Sequence, residues 1–331
     1  MKMRFSVVIP VYNGERYLAE AIRSVLAQSR PADEVIVYDD GSKDASREIA
    51  ASFGDSVKLL CGSDGPSGFV NGWNKAIGCA SGDFLTILHQ DDLLYPEFIA
   101  NAESALQSNR EVRHLFAVCD YVDENARKLD EFPEMAEPLV RYSGNEYVKA
   151  YQKTYGMFPH IHRCPGVMTH RSIFENDRCR YTEQAGHIAD DDFFYRVGQY
   201  TDVIGLLVPM AAYRVHSASA TGAQDNLKLV RRLAKDYQYQ VGQWRDSSFL
   251  DLDDKRYFEY WALRYLLKSL AGALKSRDES LFEDSRKDFR RLSGEGLLNR
   301  HPRQMRRIRF LLAVEKVFGF SISALLVRRH V

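Results

Sequence analysis

The stretch Phe5-Ser-Val-Val-Ile-Pro-Val-Tyr-Asn13 decides how the N-terminal half of the chain folds. Its run Phe5–Ile9 is apolar except for Ser6 and is stopped by Pro10, which is typical of a strand buried on both faces. Apolar residues between Tyr17 and Leu26 then recur with helical spacing. A buried strand followed directly by a helix is half of a βαβ unit, so this stretch predicts a parallel sheet.

The alternation of strands and helices continues along the chain. Further strands are predicted at Val35–Tyr38, Val57–Cys61, Asp83–Leu88, Leu115–Asp120, Val203–Val208 and Ala211–Val215. Helices are predicted from Ser42, as N-cap, to Ser52, and at Val70–Ala80, Pro96–Gln107 and Asp190–Gln199, with a loop-rich insertion at 121–165 containing a short helix, Asn145–Gln152. The fold class is therefore α/β, with a mostly parallel sheet flanked by helices.

The chain reads as helical throughout from about Asp225 onward. We expect one domain at 1–224 and a helical C-terminal region at 225–331. Its helices are predicted at Leu227–Gln243, Lys255–Leu274, Leu281–Leu292 and Met305–Leu326.

Charge and cysteine content narrow the class of protein. The chain has 45 Lys and Arg against 45 Asp and Glu, so no overall field favours nucleic acid. Seven of the bases, against one acid, lie in residues 301–331. Five scattered cysteines without a C-x-x-C pair suit a reducing cytosol and argue against disulfides. No apolar stretch reaches about 18 residues, so we expect no transmembrane helix and a cytoplasmic protein.

Three acidic clusters stand out: Asp39-Asp40, Asp91-Asp92 and Asp190-Asp191-Asp192. The first two directly follow apolar strands, and ligands of open α/β sheets bind beyond the carboxyl ends of the strands. The third opens an amphipathic helix, where backbone N–H groups favour ionised carboxylates. A solvated turn or helix cap would explain any single pair. Together the clusters predict a crevice in which Mn²⁺ or Mg²⁺ bridges carboxylates and substrate phosphates.

A series of short motifs accompanies these clusters. They are residues 5–13, Ser24-Val-Leu-Ala-Gln28, Asp39-Asp-Gly-Ser42, Asn71-Gly-Trp-Asn-Lys-Ala-Ile-Gly78, Ala80-Ser-Gly-Asp-Phe84, His89-Gln-Asp-Asp92, Ala189-Asp-Asp-Asp-Phe-Phe-Tyr-Arg196 and Tyr213-Arg-Val-His216. In this order, over roughly residues 4–220, the chain resembles family 2 glycosyltransferases of the GT-A fold. The resemblance implies a GT-A catalytic domain that moves a sugar from a nucleotide-diphosphate carrier to an acceptor.

The resemblance also implies a nucleotide site. Its residues would be Pro10, Val11, Tyr12, Asn13, Glu15, Asp39, Asp40, Trp73, Lys75, Gln90 and Arg214. Asp39 would accept a hydrogen bond from the imide N–H of uracil or thymine, and Arg214 would neutralise phosphate charge. Trp73 has an alternative role in its helix core, and Arg214 an alternative as a surface strand residue.

The metal and the catalytic base are implied in the same way. The family motif is typically Asp-x-Asp, and His89 stands where its first acid is expected. Asp91 aligns with the acid that contacts the metal. His89 and His216 are further candidate ligands, with hydrogen bonding or a structural role as alternatives.

Asp190 aligns with the family's catalytic base through its spacing to Arg196, and Asp191 is its rival. An aspartate base implies an inverting single displacement.

The partners implied are a UDP- or dTDP-sugar donor and a glycan or lipid-linked acceptor of bacterial surface polysaccharide synthesis. Arginines beside aromatic and aliphatic residues in the last helix suit the inner face of a membrane, with internal packing or a homo-oligomer contact as alternatives.

Two rival functions remain open at this point. One is a sugar-1-phosphate nucleotidyltransferase, which needs a glycine-rich, Arg-containing loop that residues 10–14 do not supply. The other is a non-catalytic nucleotide-sugar-binding protein.

Overall fold

The computed structural model describes residues 2–62, 65–130, 132–154, 163–176, 179–217, 219, 227–293 and 301–327. The chain divides into two compact units, one comprising Met1–Glu183 and Ala189–His216, the other Gln184–Ile188 and Ser217–Val331. The boundary predicted at residues 224 and 225, and the basic pair Arg328-Arg329, lie outside the described residues.

The first unit is built from alternating strands and helices. Its strands are β1 (Phe5–Val11), β2 (Glu34–Asp39), β3 (Lys58–Cys61), β4 (Phe84–Ile87), β5 (Leu93–Leu94), β6 (His114–Val122), β7 (Lys128–Asp130), β8 (Leu139–Tyr142), β9 (Val167–His170) and β10 (Val203–Arg214). Its helices are α1 (Leu18–Leu26), α2 (Ser46–Ala51), α3 (Phe69–Cys79), α4 (Phe98–Ser108), α5 (Gly144–Thr154), α6 (Arg171–Glu175) and α7 (Ala189–Val197).

All these strands join one sheet, ordered β3-β2-β1-β4-β9-β6-β10-β5, with β7 on β6 and β8 on β10. The first four strands are parallel, as the alternation predicts. The second half is mixed, because β9 lies antiparallel between β4 and β6. The strands predicted at Val203–Val208 and Ala211–Val215 form a single strand, β10. Its pairing with β6 is irregular between Leu206 and Ala211.

The apolar patterns that predict β1 and α1 form the core of this unit. Phe5, Val7 and Ile9 of β1 are fully buried, and so is the α1 face that includes Leu18 and Ile22. Full burial of one such side chain contributes about 1.5–3 kcal/mol. The core therefore fixes where β1 and β2 end, and with them the polar loops that follow.

The helix after β2 begins later than predicted. Ala45, rather than Ser42, is the N-cap residue of α2. The Ser42 hydroxyl instead accepts a hydrogen bond from the Asn13 N–H at 2.9 Å. The Ser42 cap prediction is wrong because this side chain joins the loops after β1 and β2.

The second unit is helical, as predicted. Its helices are α8 (Leu227–Trp244), α9 (Leu252–Ser276), α10 (Glu279–Ser293) and α11 (Pro302–Val327). The long α9 packs against each of the other three and begins with a capping box, in which Asp251 accepts the Asp253 and Asp254 N–H groups. Within the described part of the chain, no helix is both long and apolar enough to cross a membrane.

Candidate active site

The loops after β1 and β2 are joined by side-chain-to-backbone hydrogen bonds. Asn13 has a φ of +50°, a conformation that asparagine adopts more readily than most residues. Its side-chain Oδ1 accepts the Lys43 N–H at 2.9 Å. Glu15 makes a similar link between the two loops, because its side-chain Oε2 accepts the Ala45 N–H at 3.0 Å. Asn13 and Glu15 thus shape the predicted nucleotide loop rather than stand free in it.

Gln90 links the loop after β4 to the end of β1. Its Oε1 accepts the Tyr12 N–H at 2.9 Å, and its Nε2 donates to the Tyr12 carbonyl at 3.3 Å. A Cβ at Gly14 would lie 2.5 Å from that Oε1, so a side chain there would displace the Gln90 amide. The Tyr12 ring is 43% exposed, whereas Val11 is buried and Pro10 half-buried. Tyr12 is therefore the side chain of this group best exposed to a ligand.

Asp39 and Asp40 have different environments. Both are buried. The Asp39 carboxylate accepts the Gly41 and Ser42 N–H groups at 3.2 Å and the Arg47 Nε at 2.6 Å. A carboxylate offers about four lone-pair sites, so Asp39 retains capacity for one more donor.

Asp40 is used by the fold itself. Its two carboxylate oxygens accept the N–H and the hydroxyl of Ser67, at 2.8 and 2.7 Å. These bonds hold the segment that leads into α3. These bonds and its burial give Asp40 a structural role, and its nucleotide contact stays a prediction.

Trp73 lies against His89. The two rings stack with centroids 4.7 Å apart, and Tyr181 meets Trp73 edge-on at 5.2 Å. Trp73 is thus part of the site region. Lys75 is exposed and lies about 200° further round α3, since each helical residue turns about 100°. Lys75 therefore lies on a different face of α3 from Trp73, and its nucleotide contact stays a prediction.

His89 and His216 make side-chain contacts around Asp91. His89 Nε2 is 3.4 Å from the Cys164 Sγ, and burial lowers the pKa of His89 despite the charge of Asp91. His216 Nε2 donates to Asp91 Oδ2 at 2.9 Å. Burial raises the pKa of Asp91, but the bond from His216 and the charges of both histidines outweigh it, so the pKa is lowered. The Asp91 side chain is 23% exposed and is held as an anion.

Arg214 is fully buried and engaged by the protein. Its Nε donates to the Asp91 carbonyl at 2.7 Å, and its terminal nitrogens donate to Glu20 Oε2 at 2.7 Å and the Glu124 carbonyl at 3.0 Å. The guanidinium also lies 4.5 Å from the centroid of the Tyr17 ring. The alternative of a surface strand residue is wrong, because Arg214 is buried and ties β10 to the Asp91 loop. Its phosphate contact stays a prediction.

The three consecutive acids on α7 are not equivalent. Burial and the charge of Asp191 raise the pKa of Asp190 to about 7. Asp191 is buried and accepts the hydroxyl of Tyr151. Asp192 is fully buried and accepts Arg196 Nε at 2.8 Å. Asp190 alone of the three is half-buried rather than buried, and its pKa lies near neutrality.

Cys164 shows that the second and third acidic clusters converge. Burial raises the pKa of its thiol, and the charges of Asp190, Asp92, Asp191 and Asp91 raise it further. All four carboxylates therefore lie around one buried side chain. Sequence reasoning does not identify Cys164 as a site residue.

Arg163, beside Cys164, is also missed by sequence reasoning. Its charge lowers the pKa of Asp190, in opposition to burial, and its Nε donates to the Tyr121 hydroxyl at 2.7 Å. No motif marks either residue, because their importance arises from the folding of β9 against β4 and β6.

The sequence profile of Glycosyl transferase family 2 matches residues 6–176, more than half of the chain. The chain belongs to this family. An uncharacterised glycosyltransferase of Rickettsia typhi is 28% identical over 228 residues, 67% of each chain. The glycosyltransferase GlyG of Streptococcus pneumoniae is 32% identical over 109 residues, 32% of this chain and 36% of that one.

The fold of this glycosyltransferase is similar to that of S. aureus TarS. A crystal structure of TarS residues 1–349 in complex with UDP-GlcNAc has a TM-score of 0.54 and 16% identity, and the match covers 87% of this chain and 92% of that one. The likeness confirms the predicted GT-A-like fold. Family membership gives no support to the nucleotidyltransferase alternative.

No preformed multi-residue metal cage exists within the described ranges. No group of three or more His, Cys, Asp or Glu side chains there is placed to hold an ion. Mg²⁺ and Mn²⁺ commonly bind through one or two carboxylates plus substrate phosphates. Asp91, a partly exposed anion, fits such a site, whereas His216 is occupied by its bond to Asp91.

The Arg214→Ala variant of this glycosyltransferase should unfold more easily. We expect its free energy of unfolding to fall by at least about 3 kcal/mol, because several buried partners lose their donors together. Urea denaturation measures this. The control is Arg16→Ala, since the Arg16–Glu124 pair is 58% and 49% exposed and should cost less than about 1 kcal/mol. Equal losses in the two variants would contradict the role given to Arg214.

Proposed function

We propose that this glycosyltransferase is an inverting enzyme that uses a UDP- or dTDP-sugar and glycosylates a hydroxyl of a glycan or lipid-linked acceptor. The observation that carries the proposal is the carboxyl of Asp190, whose pKa of about 7 suits a general base at neutral pH. We further propose that the reaction belongs to surface polysaccharide synthesis in the bacterial cytoplasm.

Asp190 would take the proton of the acceptor hydroxyl. The acceptor oxygen then forms a bond to the anomeric carbon while the bond from that carbon to the diphosphate oxygen breaks. Attack from the face opposite the diphosphate inverts the configuration. Asp191 is less suited to this role, because it is buried and already accepts the Tyr151 hydroxyl.

The donor would bind across the loops after β1 and β2. Asp39 retains acceptor capacity for a base imide N–H, and the exposed Tyr12 ring offers an aromatic face beside it. The UDP-GlcNAc complex of the structurally similar TarS supports a uridine nucleotide as the first candidate.

Asp91 would hold the divalent cation, Mn²⁺ or Mg²⁺, together with the donor phosphates. When bound, the cation would neutralise the charge that grows on the leaving diphosphate. His89 replaces an acid expected by the resemblance, and burial lowers the pKa of its imidazole. The proposed site therefore depends on one protein carboxylate.

The Asp190→Asn variant should lose about 10²–10⁴-fold in kcat, the usual contribution of a general base. Release of nucleotide diphosphate from a panel of nucleotide sugars measures turnover. Asp191→Asn is the matched control and should lose much less, because asparagine still accepts the Tyr151 hydroxyl. In the wild type, kcat/KM should fall as pH drops through about 7, since protonated Asp190 is no base. Equal loss in both variants would exclude Asp190 as the sole base. Wild-type binding of UDP without turnover would favour the binding-only alternative.

Metal removal gives a separate test. We expect chelation with EDTA to stop turnover and added Mn²⁺ to restore it. The Asp91→Asn variant should need a higher Mn²⁺ concentration for half-maximal activity, because its only protein carboxylate for the ion is gone. The Mn²⁺ electron paramagnetic resonance signal, titrated with protein plus UDP, reports binding independently of activity. Full turnover in EDTA would contradict the metal proposal.

We also propose that α11 contacts an anionic membrane surface. Arg303, Arg306, Arg307 and Arg309 are exposed, and Phe310 beside them is 46% exposed. No ion pair to these arginines occurs among the described residues. Such a cationic face with an exposed aromatic suits anionic headgroups.

Cosedimentation with vesicles tests this surface. The wild type should bind phosphatidylglycerol vesicles and leave pure phosphatidylcholine vesicles unbound. Changing Arg306 and Arg307 to alanine should weaken binding about 30-fold, at about 1 kcal/mol per arginine. Changing Arg256 and Arg264 of α9 alters net charge equally and should have little effect. Equal weakening, or no binding by the wild type, would contradict the proposal and leave packing or oligomer contact.

A further inference from the structure

The segment Gln184–Ile188 belongs to a different compact unit from its neighbours in the chain. It groups with the helical second unit, whereas the chain on either side of it belongs to the first unit. Ala185 and Ile188 are buried. The next residue, Ala189, begins α7, and Asp190 is the second residue of that helix. The proposed base is therefore joined directly to a segment held by the C-terminal helices.

The side chain of Asp236, in α8, contacts the backbone of residues 184–188. Its Oδ2 accepts the His187 N–H at 3.0 Å. The carboxylate also packs flat against Gly186, where a Cβ would lie 2.4 Å from Oδ1. Gly186 has a φ of +57° and a ψ of −125°, a conformation that favours glycine. The contact is therefore built into the backbone path and does not depend on a mobile side chain of the segment.

The contact places the carboxyl group of Asp236 in a buried environment, where its ionised form loses hydration. The side chain is buried, and burial raises its pKa to about 6, although the His187 N–H, Arg232 and Lys235 act to lower it. A buried carboxylate is unfavourable unless its partners offset the lost hydration. A neutral apolar residue would be easier to place here if packing were the only requirement.

We propose that Asp236 is a positioning residue for the transfer reaction: by fixing Gly186 and the His187 amide, it sets the start of α7 and hence the position of Asp190. This inference rests on the proposed role of Asp190. The donor residues proposed, Tyr12 after β1 and Asp39 at the end of β2, lie elsewhere in the first unit and should be unaffected.

Three full-length variants test the inference: Asp236→Ala, Asp236→Asn and Asp288→Ala. The first removes the acceptor of the His187 N–H, and the second keeps an amide oxygen that can accept it. The third is the matched control, because Asp288 accepts from Arg231 within the same unit. Among the described residues no hydrogen bond or ion pair joins Asp288 to residues 184–188. Steady-state kinetics at equal folded fraction and hydrogen exchange of residues 184–195 are measured on each.

We expect Asp236→Ala to lower kcat by about 10- to 100-fold, the scale of a misplaced catalytic group, with the donor KM unchanged. Asp236→Asn should recover most of that loss, and Asp288→Ala should keep wild-type kcat. Amides of residues 184–191 should exchange faster in Asp236→Ala alone. Equal kcat in Asp236→Ala and Asp288→Ala, or unchanged exchange, would overturn the inference. An inactive wild type would defeat the proposed function, while the exchange comparison would still decide whether Asp236 fixes the segment.

Discussion

The buried guanidinium of Arg214 is the interaction on which the rest of the site depends. Arg214 is the last residue of β10. Its guanidinium donates hydrogen bonds to the Asp91 carbonyl, to Glu20 of α1 and to the Glu124 carbonyl after β6. A buried charge is tolerated only when its donors are satisfied. The planar guanidinium donates to partners on three separate segments. The loop of Asp91 is therefore fixed relative to α1 and to the loop after β6.

Within this frame, burial gives chemically identical side chains different properties. Asp91 stays anionic beside His216, whereas burial and Asp91 together raise the pKa of Asp92 well above its ordinary value. On α7, Asp191 and Asp192 accept Tyr151 and Arg196, while Asp190 has a pKa near 7. Environments that separate the pKa values of neighbouring acids indicate which of them acts as a base. The proposed mechanism rests on the half-burial of Asp190 together with its pKa near 7.

The sequence predicts the elements well because apolar periodicity and strand ends are local properties. The strand β1, the helices α8 to α11 and the convergence of Asp91 with Asp190 all follow from such patterns. The role of Arg214 could not be predicted, since its partners are up to 194 positions away. The antiparallel insertion of β9, the bonds of Asp40 to Ser67 and the contact of Asp236 with Gly186 likewise depend on tertiary packing. Motif resemblance identifies residue positions but does not distinguish a ligand contact from a structural bond.

The stereochemistry of the product tests the central claim most directly. Proton NMR of the first product formed from an α-linked nucleotide sugar reports the configuration of the new anomeric centre. A single displacement assisted by Asp190 predicts a β-linked product. An α-linked product would require retention of configuration and would contradict the account of Asp190 as the base of a direct displacement.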